Sequence, residues 1–215
     1  MSTPLVLLVF AAAGAVAGTA ARLLLARLRR GAVVRLGWCE TATAILWAVT
    51  GHQLATGALP WWWQPPVLAV TWLAVPLTAT DLLHRRLPDA LTLPGFIAVA
   101  TAIGLAAAFG GGISLAAAAA AGGALLLALH AGAHLVNPAS LGAGDVKLSA
   151  TVGAVLGAVG WTAVLAGMVL AALVTLIVGA LWRRSRHGIP HGPGLLAATC
   201  LFALCPGAGL AGGVL

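Results

Sequence analysis

Residues 148–182 read LSATVGAVLGAVGWTAVLAGMVLAALVTLIVGALW, 35 residues without a charge. A helix needs roughly 20 apolar residues to cross a bilayer, so this run is too long for one untilted span and can hold two. Gly157, Gly160 and Trp161 mark the turn between them, leaving a short span before it and a full one after it. The rest of the chain is similar in kind. Of its 215 residues, 61% are hydrophobic and 7% charged, whereas soluble domains carry about a quarter charged residues.

Working outward from that run, apolar stretches separated by charges, Pro or Gly give eight spans. They are Pro4 to Leu25, Thr41 to Leu59, Pro66 to Leu83, Leu91 to Phe109, Ile113 to Val136, Leu148 to Val159, Thr162 to Leu181, and Gly194 to Leu215. Eight spans use ~160 positions, which leaves no room for a soluble domain. The sequence therefore predicts an all-α polytopic membrane protein, a single transmembrane domain over residues 1–215. That excludes a cytoplasmic enzyme, a secreted disulfide scaffold and a nucleic-acid binder. Met1 to Pro4 lack the basic start of a cleavable signal peptide, so the first run is expected to remain as helix one.

Charge orients the helices. The formal net charge is +7, with eleven Lys and Arg, and cytoplasmic ends of membrane helices collect such residues. Arg22 closes span one and Arg27, Arg29, Arg30 and Arg35 follow it, Arg85 and Arg86 follow span three, Lys147 span five, and Arg183, Arg184 and Arg186 span seven. All lie at odd-numbered junctions, which predicts both termini outside. Trp61, Trp62, Trp63 and Trp161 then fall at outer junctions and Trp38 and Trp182 at inner ones, where indoles favour the headgroup layer. Cys39, Cys200 and Cys205 form no C-x-x-C pair and read as packing residues. The Ala- and Gly-rich runs, such as Ala116 to Gly123, either bring helices close together or reflect composition alone.

Only four acids occur, Glu40, Asp81, Asp89 and Asp145, and this topology puts all four on the cytoplasmic side. Ionisable groups at membrane depth are costly and are candidates for function. Asp81 lies at the end of span three and Asp145 at the entry to span six. Two carboxyls from different helices that share one proton meet the requirement of an aspartic protease, one activating water while the other protonates the carbonyl oxygen. Gly142 and Gly144 would admit positive φ and close approach of an extended substrate. Each aspartate also has a structural alternative: Asp81 could pair with Arg85, and Asp145 could cap helix six.

The segment Asp81 to Asp89 has the form D-x6-P-D and continues to Leu91-Thr92-Leu93-Pro94. With Gly142-Ala143-Gly144-Asp145-Val146-Lys147-Leu148, it resembles the two signature regions of type IV prepilin peptidases, the GxGD-type intramembrane aspartic proteases of bacteria. The resemblance implies that Asp81 and Asp145 are catalytic, within a peptidase core of about residues 62–215. Gly142, Gly144, Lys147, Glu40 and Asp89 become supporting or substrate-binding residues, Glu40 matching the acid after the first cytoplasmic loop. It implies hydrolysis without a cofactor, at the cytoplasmic face of the bacterial inner membrane, of pilin-like precursors cut after a glycine. Longer members carry paired C-x-x-C motifs between spans one and two, associated with N-methylation. Here that connection is a short Arg-rich stretch, similar to the short peptidases of Flp/Tad pili.

Other residues have plainer readings. Asp89, after Pro88, suits a helix cap. Lys147 could stabilise ionised Asp145, hold lipid phosphate or touch substrate. His130 and His134 stand at i, i+4 but lack the glutamate of a metalloprotease motif, and read as paired polar groups facing the bundle rather than metal ligands. Ser140 with Lys147 has no nucleophile motif around it, and His187 and His191 suggest no site. From other functional classes, a small proton- or cation-coupled transporter or a non-catalytic assembly protein would use the same aspartates differently.

Overall fold

The computed structural model describes residues 2–138, 141–181, 190–207 and 210. Among the described residues the chain forms eight α-helices and no strand. These are α1 Thr3–Arg27, α2 Trp38–Ala55, α3 Gln64–His84, α4 Asp89–Ala106, α5 Gly112–Val136, α6 Ala143–Val159, α7 Trp161–Leu181 and α8 Gly192–Leu204. A 3-10 turn, Trp61–Trp63, leads into α3, and a π turn, Ala107–Gly111, joins α4 to α5. The break inside the uncharged run falls at Gly160, whose φ of 143° an L side chain rarely adopts.

Four stretches are long and apolar enough to cross a membrane: Thr3–Arg27, Trp61–His84, Asp89–Val136 and Trp161–Leu181. α8 ends at Leu204, earlier than its apolar sequence implied, because Pro206 cannot continue a helix. At 13 residues it is only about 20 Å long. α6 begins at Ala143 rather than Leu148, so Asp145 sits inside its first turn. Trp182 and the basic residues Arg183, Arg184 and Arg186 lie outside the described residues, as do Ser140 and His187.

Small residues set how closely the helices approach. A methyl added at Gly153 of α6 would run into the Gly122 carbonyl of α5, and one at Gly157 would meet the Ala118 carbonyl. At Gly18 of α1 the added carbon would reach the Cys39 carbonyl of α2 and lie 2.7 Å from the Glu40 Cα. Packing is therefore the role of these glycines, since in lipid close van der Waals fit is what joins helices.

Two helices form the interior. α3 packs against α1, α2, α4 and α8, and α6 packs against α4, α5, α7 and α8. From Leu148 to Val159 every α6 residue but Ala150 is buried, while α1 and α7 present Leu8, Val16, Leu165 and Leu176 outward. α8 touches both central helices. Trp61, Trp161 and Trp38 are exposed near helix ends, as a headgroup position requires, but Trp63 is fully buried and its indole N–H donates to the Ala203 carbonyl at 3.0 Å. Trp63 thus anchors α8 instead of facing headgroups. Cys39 and Cys200 are buried packing residues, but Cys205 is exposed.

Candidate active site

The end of α3 is built by its cap. Arg85 adopts a left-handed conformation, φ 51°, and its N–H closes on the Asp81 carbonyl at 2.8 Å. Pro88 follows, in extended backbone that ends one helix and starts the next. Asp81 therefore lies on the last turn of α3, with only 5% of its surface exposed. A carboxyl so buried requires a partner, and the backbone N–H of Gly192, the first residue of α8, donates to Asp81 Oδ2 at 3.1 Å. The positive end of the α8 dipole faces the same oxygen.

Asp145 approaches from the other central helix. Gly142 is the N-cap of α6, and Asp145 is the third helical residue, its N–H bonded to the Gly142 carbonyl at 3.0 Å. Asp145 is thus not the cap. Its enclosed Oδ1 has no hydrogen-bond partner among the described residues. Leu87 fills the space between the two sites: a Cβ added at Gly144 would lie 2.9 Å from the Leu87 Cβ, and one at Gly192 would lie 3.5 Å from its Cδ1.

The glycines act differently from expectation. Gly142 has φ −68° and extended backbone, and Gly144 is not among the positive-φ glycines, so neither needs left-handed freedom. Gly144 is small because Leu87 packs on it. The third contributor, Gly192, lies in Pro190-His191-Gly192-Pro193-Gly194. Sequence reasoning passed over it, although Pro and Gly clustered at a helix start near the basic end of the bundle were a visible signal.

His191, expected to suggest no site, caps α8 and steers it. Thr175 on α7 donates its hydroxyl to the Ala171 carbonyl at 2.8 Å, so it accepts from His191 Nδ1, also at 2.8 Å. Burial, helped by the His130 ring 6.0 Å away, pushes the His191 imidazole below its ordinary value. The chain Ala171, Thr175, His191 thereby holds the residue next to the Gly192 donor.

The remaining candidates lie outside this contact. Asp89 is the first residue of α4, Pro88 is the cap, and no side-chain cap bond forms. Instead Asp89 Oδ1 accepts from Lys147 Nζ at 2.7 Å, an exposed pair tying α4 to α6 beside Asp145. Lys147 therefore pairs with Asp89 rather than with Asp145. Glu40 accepts from Arg22 Nε at 2.6 Å and from the Gly37 N–H at 3.0 Å, fixing the α1–α2 turn. His130 Nδ1 bonds the Leu126 carbonyl and His134 Nδ1 that of Leu141. Among the described residues no cluster of three or more His, Cys, Asp or Glu could hold a metal ion.

Residues 68–182 match the type IV leader peptidase family. Proteins of Aeromonas hydrophila and Aeromonas salmonicida, each a prepilin leader peptidase/N-methyltransferase, are 36% identical to the chain over 168 residues. The match takes in 74% of this chain and 54% of each relative, so the chain spans about half the length of the curated relatives it matches. No solved structure matches.

Proposed function

The chain belongs to the type IV leader peptidase family, and we propose that it is a prepilin leader endopeptidase in which Asp81 and Asp145 activate the hydrolytic water. The observation that carries the reading is that two carboxyls from separate central helices flank one residue: Leu87 packs on Gly144, next to Asp145, and near Gly192, whose N–H holds Asp81 at the start of a third helix. The Gly192 N–H and the α8 dipole stabilise negative charge on Asp81, which makes it the base. Asp145, whose Oδ1 lacks a donor, carries the shared proton. Water attacks the peptide carbonyl carbon and gives its proton to Asp81, while Asp145 protonates the carbonyl oxygen. Collapse breaks the C–N bond as Asp81 gives its proton to the leaving amine and one hydroxyl of the tetrahedral intermediate returns its proton to Asp145.

In this reading the helical bundle spans the bacterial inner membrane with both termini outside. Asp81 and Asp145 then face the cytoplasm, where the basic leader of a pilin-like precursor stays while its apolar helix lies in the bilayer. The peptidase core is residues 62–215, and the reading stops at cleavage. Residues 28–37, which join α1 to α2, contain no cysteine, and Cys39 beyond them stands alone.

The test is conversion of a candidate precursor from the same genome, read as a mass shift, by purified protein in detergent without an ion gradient. Asp81→Asn and Asp145→Asn should each abolish cleavage while the protein still inserts, because an amide neither accepts a proton from water nor supplies one as an acid. The double variant should be no worse than either single one. Near-normal cleavage by either single variant removes the aspartic mechanism, and activity that requires a gradient points to a transporter.

A further inference from the structure

An apolar groove of about 610 Å³ runs between α2 and α8, with α3 as its floor. Ala42 and Leu46 face it from α2, Ala197 and Leu201 from α8, and Thr78 and Leu82 from α3. Two features set it apart from an ordinary lipid-facing surface. The first is continuity with the carboxyl pair. Thr78 and Leu82 lie three residues before and one after Asp81, and Pro193, also in the lining, follows the Gly192 that holds Asp81.

The second is that the groove ends. Gln53 of α2 donates its side-chain N–H to the Leu204 carbonyl at 2.6 Å, joining the two walls at the end of α8 away from Asp81. From Pro193 to Leu204 the α8 wall rises about 17 Å, roughly half the hydrocarbon thickness. A groove of that length takes about three helical turns. Apolarity does not distinguish a guest helix from lipid, so recognition rests on close packing. Ala42, Ala79 and Ala197 in the lining leave room for a helix backbone.

We propose that this groove seats the first three turns of the apolar segment of the precursor, an inference that rests on the leader-peptidase reading. A helix whose first three turns fill the groove, and whose remainder leaves it sideways into lipid before the Gln53–Leu204 closure, would have the peptide bond just before it level with Thr78 and Leu82, beside Asp81. The basic leader would continue past Trp38, at the open end. A second recess, of about 390 Å³ between α4, α5 and α6, is lined by Ala120 and Gly123 and contains no neighbour of Asp81, so it serves as a control.

The probe is a precursor with a short basic leader ending in glycine followed by roughly 20 apolar residues. Asp145→Asn protein with a photoreactive side chain at Leu46, Leu201, Ala120 or the outward-facing Leu165 is illuminated with it in membranes. Cross-links from Leu46 and Leu201 and none from Ala120 or Leu165 are expected. In otherwise unaltered protein, Ala42→Leu and Ala197→Leu should raise KM about tenfold with kcat within twofold, and Ala120→Leu should change neither. Cross-linking from Ala120 or Leu165 alone, equal labelling everywhere, or only lipid adducts at Leu46 and Leu201 with normal KM overturns the groove assignment. If unaltered protein fails to cut the precursor at all, the leader-peptidase reading falls first; cutting with cross-links elsewhere removes the groove alone.

Discussion

Gly192→Ala puts the proposed catalytic geometry to its sharpest test, because it replaces neither carboxyl. An alanine Cβ at this position would lie 2.8 Å from Asp81 Oδ2, about 0.6 Å inside ordinary van der Waals contact. Either the Asp81 carboxyl swings away or the start of α8 moves, and in both cases the 3.1 Å bond from the Gly192 N–H is stretched or lost. A hydrogen bond to a charged group contributes about 1.5–3 kcal/mol, which corresponds to roughly 10- to 150-fold in rate. A misplacement of about 1 Å at a reacting group costs on the order of 100-fold. The two estimates agree, so kcat should fall between about 10- and 100-fold with KM little changed. Folding should survive, since Gly192 has no positive φ and alanine is the better helix former by about 1 kcal/mol. The assay is precursor cleavage at matched expression, with Gly104→Ala as the control because its added carbon meets nothing within 4 Å. A Gly192→Ala enzyme within twofold of the parent would refute the argument that this N–H positions Asp81.

Three further outcomes follow from the same geometry. Asp89→Asn breaks only the exposed pair with Lys147, worth about 1 kcal/mol or less, so cleavage should stay above half; its abolition would move the active carboxyl eight residues along the chain. Gly153→Ala forces a methyl against the Gly122 carbonyl and should cost about 1–3 kcal/mol, lowering the Tm in detergent by roughly 2–12 °C. Gly132→Ala, in open space, should not change it. In a cysteine-free background, Ser140→Cys should escape an impermeant thiol reagent added to intact cells and Gly111→Cys should react, and the reverse pattern would overturn the orientation.

Hydrophobic run length and the clustering of basic residues are local properties of the chain. They were enough to predict an all-helical membrane protein and to place Asp81 and Asp145 near one end of it, and the break at Gly160 was visible as Gly beside Trp. The two motifs, at the same end of that bundle, resemble the family's signature regions. Local sequence could not show which partner satisfies a side chain, because hydrogen bonds and close packing join residues far apart in the chain. Lys147 meets Asp89 across 58 positions, and Asp81 meets Gly192 across 111. The cap expected at Asp89 and the headgroup position expected of Trp63 each followed from local preference, and tertiary contacts overrode both; the positive φ that Gly142 and Gly144 would admit goes unused because both stand at the start of α6. In sequence, Gly192 is one glycine among 28. Its role appears only once α8 is wedged between α3 and α6, where a buried carboxyl must find a donor and a backbone N–H at a helix start has none of its own to give it to.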